Sequence, residues 1–507
     1  MIRIESEQNV EVLRQVALLL DREVHTLHNR IEKLITEIVR LRGGDASALQ
    51  LELEQLQELL ARREQELFGN SSEKRPRPRS EEPPVESPPQ RGHGPRPQPS
   101  LPLFTQLHEL PEEKRECPGC GGCLTEMNGQ FEESEEITVV ERSFRVVVHQ
   151  RQKYRCRCNA SVVTAPGPSK LVPGGRYSPE FAAEVAISKY LDHCPLERQV
   201  RIMDREGLQV DSQTLWDQID VLARHLEPTY QAIAAQVLTA PVVYADETYW
   251  RMMDGRSSRW WVWCVASDEA VSYRLCGTRS AKAANLVLSG YQGIVMADGY
   301  GAYSSLARPG PGFTLVHCWA HIRRKFVEIE SNYPAACAEV LDLIGKLYAV
   351  EREAARADNS ETAQALALRA RLREEQSREL IDAIRKWAES QLALPQSGLG
   401  KALAYMRGLW PGLTRFLADP RIPLDNNCAE RALRGVVVGR KNHYGSRSRR
   451  GTEVAALFYS LCESAKIAGV EPRAYLLRAT HAALETPGTV TLPHSQIDAT
   501  PTPAAAR

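Results

Sequence analysis

The chain has 507 residues, and Lys plus Arg equal Asp plus Glu at 64 each, so the net charge of +0 singles out no class of partner. This length exceeds what one hydrophobic core organises, and we expect three or more structural units. No stretch approaches eighteen consecutive apolar residues and the N-terminus lacks a basic-then-apolar signal pattern. These features predict a cytoplasmic protein without a membrane partner.

Residues 1–70 carry apolar side chains in alternating steps of four and three. This spacing predicts a coiled coil through which the chain forms a homo-oligomer, and a helical hairpin folded at Gly43-Gly44 is the alternative. Residues 71–103 are rich in Pro, Ser, Glu and Arg and predict a disordered linker. Residues 485–507 have a similar composition and predict a disordered tail. The first seam consists of Leu13, Ala17, Leu20, Val24, Leu27, Ile31, Leu34, Ile38 and Leu41.

Two cysteine pairs lie within residues 104–170, with alternating residues typical of strands (Ile137 to Val148) between them. This arrangement predicts a zinc-ribbon-like β module in which four thiolates bind a structural Zn²⁺. The second pair is a C-x-C, tighter than the usual C-x-x-C, and Cys123 could compete as a ligand. Unligated thiols are the alternative. The four proposed ligands are Cys117, Cys120, Cys156 and Cys158.

Residues 171–235 predict a helical region. Helices are expected over Pro179–Leu191 and Pro195–Arg205, and a third helix is expected to begin at Asp211 or Ser212 and to continue through Leu222. The tight connection at Glu206-Gly207-Leu208 is what a helix-turn-helix needs. The third helix carries little positive charge, so a DNA-reading unit and a plain helical packing unit are both consistent with the sequence.

Residues 236–333 change to an α/β pattern. The predicted order is three strands, a helix, a fourth strand, a short helix, a fifth strand and a helix, which is the order of the ribonuclease H-like fold. The strands are Pro241–Asp246, Trp260–Ala266, Val271–Leu275, Gly293–Asp298 and Phe313–His317, and the longer helices are Ser280–Leu288 and Trp319–Glu330.

An acid ends the first and the fourth of these strands, which neighbour each other in that fold. Asp246 and Asp298 are therefore expected to lie close together. Like charges at such a distance repel unless a cation intervenes, and carboxylate oxygens suit Mg²⁺ or Mn²⁺. Glu247 follows Asp246 and points to the opposite face of its strand, which makes it a poor ligand.

A third carboxylate would complete a two-metal site for phosphoryl transfer. Residues 334–420 predict a helical insertion, and residues 421–484 predict the remainder of the core. There Asp425 or Asn426 is expected to cap a helix whose first turns carry Glu430. We therefore predict that Glu430 is the third ligand.

Basic residues cluster beside these acids in the sequence. From residue 431 to residue 450 there is no acid, and a second basic run follows His321. Contact with phosphates of DNA is the favoured interpretation and a solvated surface is the alternative. His317 and His321 have a spacing that can bind zinc, but His321 is expected to face a phosphate or a hydrogen-bond partner. The predicted DNA-binding residues are His321, Arg323, Arg324, Lys325, Arg431, Arg434, Arg440, Lys441, Arg447, Arg449 and Arg450.

Several motifs are similar to those of insertion-sequence-66 type bacterial transposases. They are YADET around Asp246, ADGYGAY around Asp298, CWAHIRRKF at 318–326 and DNNCAERALR with GRKN at 425–442. The resemblance extends over nearly the whole chain, and the block around Glu430 is its most specific part.

This resemblance implies a DDE-type transposase in which Asp246, Asp298 and Glu430 bind two Mg²⁺ or Mn²⁺ ions. Water would attack a phosphodiester at the transposon end, and the freed 3′-hydroxyl would attack target DNA, with accessory proteins of the same element as possible partners. Two alternatives are a structure-specific ribonuclease H-like nuclease and a non-catalytic DNA-binding assembly protein.

Overall fold

The structure of the chain is a computed structural model. It describes residues 143–155, 162–254, 259–307, 312–358 and 362–496, together with positions 26, 29, 30, 33, 105–107 and 118–121. The predicted coiled coil, the predicted linker and the proposed zinc ligands Cys117, Cys156 and Cys158 lie outside the described residues. Residues 70–142 form a unit of their own, in which residues 118–120 form a turn that carries the exposed Cys120.

The larger unit comprises residues 1–69 and 143–507. From residue 143 onward, its first element is a short antiparallel hairpin. It consists of β1 (Lys153–Arg155) and β2 (Val162–Thr164). The strand predicted over Ile137–Val148 is wrong in its described part, because residues 143–148 have no regular secondary structure. Phe144 packs edge-on against Phe181 with ring centroids 6.2 Å apart. This aromatic contact, and not strand pairing, attaches the segment to the rest of the unit.

Three helices follow, at the predicted places. They are α1 (Pro179–Tyr190), α2 (Leu196–Arg205) and α3 (Ser212–Val237). Asp211 caps α3 by accepting a hydrogen bond from the backbone of Thr214 at 2.6 Å. The third helix extends well past Leu222, because apolar residues at helical spacing continue as far as Val237 and are fully buried. This burial favours a packing role for α3 over that of a groove-reading helix.

The centre of the molecule is a five-stranded mixed sheet in the order β5-β4-β3-β6-β7. β3 pairs antiparallel with β4 and parallel with β6, so the first and fourth strands of this region are neighbours, as predicted. The elements in chain order are β3 (Val242–Arg251), β4 (Arg259–Ala266), β5 (Val271–Cys276), α4 (Ala281–Val287), β6 (Ile294–Ala297), α5 (Gly301–Leu306), β7 (Thr314–His317) and α6 (Trp319–Val327).

One prediction about this sheet is corrected. Asp246 does not end its strand, since β3 continues to Arg251 through the run Thr248-Tyr-Trp. These β-branched and aromatic residues pair with β4, where Trp250 lies opposite Trp260. Asp246 is therefore held inside β3 by its pairing with Cys264 of β4, whereas Asp298 follows the last residue of β6.

Residues 334–420 are helical, as predicted for the insertion. Their apolar side chains share one core with α6 and with one face of the sheet, so the insertion packs as a layer on the sheet. None of the described helices is long and apolar enough to span a membrane. The elements are α7 (Pro334–Ala357), α8 (Ala363–Leu372), a π-helical turn (Arg373–Ser377), α9 (Arg378–Ser390), α10 (Gly398–Leu413) and a 3-10 turn (Arg415–Leu417).

Three helices complete the unit: α11 (Asn427–His443), α12 (Arg449–Ile467) and α13 (Pro472–Glu485). α12 covers the edge strand β5, and the hydroxyl groups of Ser460 and Ser464 accept hydrogen bonds from the backbone N–H groups of Tyr273 and Val271. These bonds satisfy donors that an edge strand otherwise leaves open.

The predicted disordered tail does not begin at residue 485. The hydroxyl of Tyr475 donates to the carbonyl of Thr491 at 2.8 Å, and the N–H of Thr491 donates to the hydroxyl of Thr229. Residues 486–496 are therefore fixed to α13 and α3 by hydrogen bonds. Residues 497–507 lie outside the described part of the chain.

Candidate active site

Asp246 lies within β3, and Asp298 directly follows β6, the parallel neighbour of β3. Tyr244 pairs with Met296, and extending this register by two residues sets Asp246 beside Asp298. Neighbouring strands lie about 4.8 Å apart, and residues two apart on a strand point to the same face. This register predicts that the two acids lie close together, and the charge of Asp298 is one of the causes that raise the pKa of Asp246.

Glu430 approaches this pair from α11, in whose first turn it lies. Its Oε1 is 3.6 Å from Nε2 of His321, and its Oε2 is 3.9 Å from a guanidinium nitrogen of Arg324. Oε1 is buried and accepts no hydrogen bond within the described part of the chain. A buried carboxylate oxygen without a donor is costly, so this atom is ready to accept a cation.

The pKa of Asp246 is raised to about 7, chiefly by burial and in addition by the negative charges of Glu247, Asp298 and Glu430. The N–H of Glu247, which donates to Oδ1 of Asp246 at 2.8 Å, partly offsets these effects. Asp246 therefore senses both other predicted ligands. A bound divalent cation would relieve the repulsion between the negative charges of these three carboxylates.

Asp298 is held by the loop that follows β6. Its Oδ1 accepts a hydrogen bond from the backbone of Tyr300 at 2.9 Å. Gly299 lies between them, and a side chain there would come within 2.7 Å of the hydroxyl of Tyr405 on α10. Burial raises the pKa of Tyr405, and the charge of Asp298 acts in the same direction. The insertion thus brings Tyr405 close to Asp298, a contact that no periodic pattern in the sequence indicates.

Glu247 lies on the opposite face of β3, as predicted, and has a structural partner there. Its side chain is fully buried, and its Oε1 accepts hydrogen bonds from Arg279, with Nε at 2.8 Å and Nη2 at 2.6 Å. Its Oε2 accepts a hydrogen bond from Tyr303 at 2.7 Å. The guanidinium of Arg279 also lies 3.9 Å from the ring centre of Tyr300, whose backbone holds Asp298. This network fixes the strand and the loop that carry the two aspartates.

The start of α11 differs from the predicted capping. The Asn426 side chain makes no cap; its Nδ2 donates to the carbonyl of Ala245 at 2.9 Å, and the residue is fully buried. Asp425 provides the local contact, since its Oδ1 accepts from the N–H of Asn427 at 3.2 Å. Asn426 therefore joins the helix of Glu430 to the residue before Asp246, a tertiary contact that no local pattern specifies.

The predicted basic surface is divided by the fold. Arg440 turns inward, where its guanidinium donates to the hydroxyl of Thr248 at 3.2 Å and to the carbonyl of Tyr249. Arg450 donates to Asp220 at 2.6 Å, and Arg449 lies 3.4 Å from Glu453. Arg440 and Arg450 are therefore bound to partners within the protein, which conflicts with the prediction that they bind DNA phosphates.

Other cations remain open to a ligand. Arg431, Arg434, Lys441 and Arg447 are exposed and form no ion pair with any residue that the structure describes. On α6, Lys325 pairs with Glu328 at 2.9 Å, whereas Arg323 is partly buried. The exposed set on α11 and the loop after it is the better-supported part of the predicted DNA-binding surface.

The three carboxylates do not form a ready-made metal cluster: in residues 143–496, as far as they are described, no three His, Cys, Asp or Glu side chains converge as a metal site. The same holds for the pair His317 and His321. Asp246, Asp298 and Glu430 nevertheless fit hard divalent cations, because all offer oxygen atoms and Glu430 keeps one oxygen without a donor.

The family comparison decides the class of the chain. Residues 174–454 match the family described as "Transposase IS66 family". The chain belongs to this family. A second match, over residues 114–159, is to the zinc-finger binding domain of transposase IS66, and it spans all four cysteines predicted to bind zinc.

Curated relatives of this IS66-family chain occur in Sinorhizobium fredii (strain NBRC 101917 / NGR234). The uncharacterized protein y4jD is 32% identical over 398 residues, which are 74% of this chain and 76% of the relative. The uncharacterized protein y4qI is 32% identical over 378 residues, which are 70% of this chain and 69% of the relative. No solved structure matches the chain.

Family membership supports a transposase that acts on DNA and contains a zinc-finger domain. The segment 174–454 covers the sheet, the insertion and α11, so Asp246, Asp298 and Glu430 all lie inside the matched region. The resemblance identified from the sequence motifs is thereby confirmed at the level of the family.

Proposed function

We propose that this IS66-family protein is a DDE-type transposase whose catalytic core is ribonuclease H-like and whose ligands for two Mg²⁺ or Mn²⁺ ions are Asp246, Asp298 and Glu430. The observation that carries the proposal is that Asp246 lies on the strand parallel to the one that Asp298 follows, and that the charges of both Asp298 and Glu430 contribute to the raised pKa of Asp246. The strand order β5-β4-β3-β6-β7, in which β4 runs opposite to the other four strands, supports the assignment of the core.

Each residue has a distinct part in this proposal. Asp246 supplies oxygens from β3, Asp298 from the residue that follows β6, and Glu430 from the first turn of α11. When bound, two divalent cations activate the attacking oxygen and stabilise the leaving oxygen of an in-line displacement. Water is the first nucleophile, and the 3′-hydroxyl that it frees is the second. His321 and Arg324, which contact Glu430, lie where a scissile phosphate would arrive.

DNA binding is proposed for the exposed cations of α11 and the following loop. Arg431, Arg434, Lys441 and Arg447 offer positive charge without internal partners among the described residues. Phosphate contacts of this kind fix the position of a duplex without reading its sequence. We assign the recognition of transposon ends to other segments, among them the zinc-finger domain, with Cys117, Cys120, Cys156 and Cys158 as its zinc ligands.

Assembly is proposed for the N-terminal region. A coiled coil over residues 1–70 would join protomers, which suits the synapsis of two DNA ends. Light scattering on a fragment of these residues tests this step, and a monomer at micromolar concentration would exclude it. Accessory proteins of the same element remain possible further partners.

The catalytic proposal is tested with Mg²⁺-dependent cleavage of DNA that carries the ends flanking the gene. Asp246→Asn and Glu430→Gln should each abolish cleavage, whereas the control Glu453→Gln, on the exposed side of α12, should cleave like the wild type. Cleavage retained by either site variant contradicts the assignment. Cleavage by the wild type without joining to target DNA would instead indicate a structure-specific nuclease.

A further inference from the structure

A single buried arginine lies where the helical insertion meets the chain that leads to α11. Arg373 opens the π-helical turn and is only 1% exposed. Its Nε donates to Glu351 at 2.7 Å, and its Nη2 donates to Glu351 at 2.9 Å and to the carbonyl of Ile422 at 2.9 Å. Its Nη1 donates to the carbonyls of Phe416 at 2.8 Å and Asp419 at 3.2 Å. All five N–H donors of the guanidinium are thus used.

The three carbonyls belong to one segment, residues 414–426, which connects the insertion to the helix of Glu430. Residues in this segment have little regular structure besides the 3-10 turn Arg415–Leu417, so their backbone acceptors need partners from elsewhere. α6 fixes the two ends of the same segment. Trp319 Nε1 donates to the carbonyl of Leu413, and the N–H of Trp319 donates to the carbonyl of Leu424 at 2.8 Å.

Asn426 links this segment to the strand and the helix that carry Asp246 and Glu430. Its N–H donates to the sulfur of Cys318 at 3.2 Å, and its Nδ2 donates to the carbonyl of Ala245 at 2.9 Å. Its own carbonyl accepts from the N–H of Glu430 at 3.2 Å. One fully buried residue therefore connects the strand of Asp246 with the first helical turn of Glu430.

We propose that Arg373 and Asn426 are positioning residues that fix Glu430 relative to Asp246, and that the helical insertion is therefore a structural part of the catalytic site. This inference rests on the proposed function. Neither residue contacts the reacting atoms. Arg373 sets the path of the segment, and Asn426 sets the start of α11 against β3.

The chemistry of both contacts restricts the residues that can make them. A guanidinium presents planar donors in several directions at once, whereas a lysine at residue 373 has three donors on one nitrogen and cannot reach the carboxylate and three carbonyls together. At residue 426, alanine removes the side-chain donor to the carbonyl of Ala245 without adding volume. A displaced Glu430 would raise the metal concentration needed for reaction and slow the chemical step, while leaving the exposed cations of α11 unchanged.

The experiment compares the full-length wild type with Arg373→Lys, Asn426→Ala and the control Arg378→Lys. Arg378 is an exposed arginine of the same insertion and pairs with Glu374 within one helical turn. Four quantities are measured: affinity for end DNA, cleavage rate, the Mg²⁺ concentration for half-maximal cleavage, and hydrogen exchange of the backbone amides of residues 427–430.

We expect both positioning variants to exchange these amides at least about tenfold faster, the change that loss of one buried hydrogen bond produces. Cleavage should slow by a similar or larger factor and need more Mg²⁺, while DNA affinity stays within about twofold of the wild type. The control should match the wild type in all four measurements. A general loss of stability would instead accelerate exchange throughout the chain and leave the Mg²⁺ requirement unchanged.

Normal cleavage and normal exchange in either folded variant overturn the inference. If Arg373→Lys fails to fold, Asn426→Ala decides alone by the same criteria. If the wild type shows no Mg²⁺-dependent cleavage, the proposed function fails, and the exchange of residues 427–430 still decides whether the two residues position the helix.

Discussion

Replacing Asp246 with asparagine should stabilise the metal-free protein at neutral and alkaline pH. The pKa of this carboxyl is about 7 in the folded protein, against an ordinary value of 3.8. Burial is the main cause, and the charges of Glu247, Asp298 and Glu430 add to it. An asparagine keeps the shape of the side chain and removes the charge that these surroundings disfavour.

The sign of the pH dependence follows from proton binding. Between pH 4 and pH 7 Asp246 holds its proton in the folded chain and loses it in the unfolded chain, so the free energy of unfolding falls as the pH rises through this range. A difference of about three pKa units corresponds to an upper limit of roughly 4 kcal/mol above pH 7. We expect a gain of roughly 2–4 kcal/mol for Asp246→Asn at pH 8 and almost none at pH 4.

The assay is urea denaturation of the metal-free protein at several values of pH. Asp419→Asn is the matched control, because hydrogen bonds from Arg421 lower the pKa of Asp419, and its loss should destabilise the protein at neutral pH. Ca²⁺ should then stabilise the wild type more than Asp246→Asn. Equal stability of wild type and Asp246→Asn at pH 8, or a loss of stability there, refutes the reasoning.

Three further outcomes are expected. Glu247→Gln should lower the pKa of Asp246 and so weaken the fall in the free energy of unfolding between pH 4 and pH 7 in urea denaturation, because the charge of Glu247 is one of the causes that raise this pKa. Replacing Arg434 and Lys441 together by alanine should reduce the slope of log affinity for DNA against log salt by about two, whereas Arg440→Ala should leave the slope unchanged and lower stability. Cys117→Ser should lower the zinc content below about one ion per chain in elemental analysis, and unchanged zinc would remove this cysteine from the ligands.

The sequence predicted the sheet well because its strands have strong local signals. The apolar runs around Val243 and Val295 predicted the first and fourth strands, and the tryptophan-rich run from 260 to 263 predicted the second. The predicted bounds of β4 and β5 differ from the observed ones by a single residue each. The strand order alone predicted that Asp246 and Asp298 lie close together.

The contacts that fix Glu430 could not be predicted in this way. Arg373 is one of many charged residues in a helical pattern, and nothing local indicates that it turns into the core instead of facing solvent. Asn426 has the composition of a helix cap, yet its side chain binds a strand far away in the sequence. Arg440 belongs to a basic run, and only the packing of α11 on β3 assigns it an internal partner. These contacts depend on which residues the fold brings together, and the periodicity of the sequence carries no information about that.

The most direct test of the account is a combined cleavage and joining assay with Glu430→Gln. End DNA and a target duplex are incubated with Mg²⁺, and both the freed 3′ ends and the joined product are measured, together with DNA affinity. We predict that the wild type cleaves and joins, and that Glu430→Gln binds the same DNA with wild-type affinity while forming neither product. Cleaved or joined DNA formed at the wild-type rate by Glu430→Gln would contradict the assignment of Glu430 as the third metal ligand.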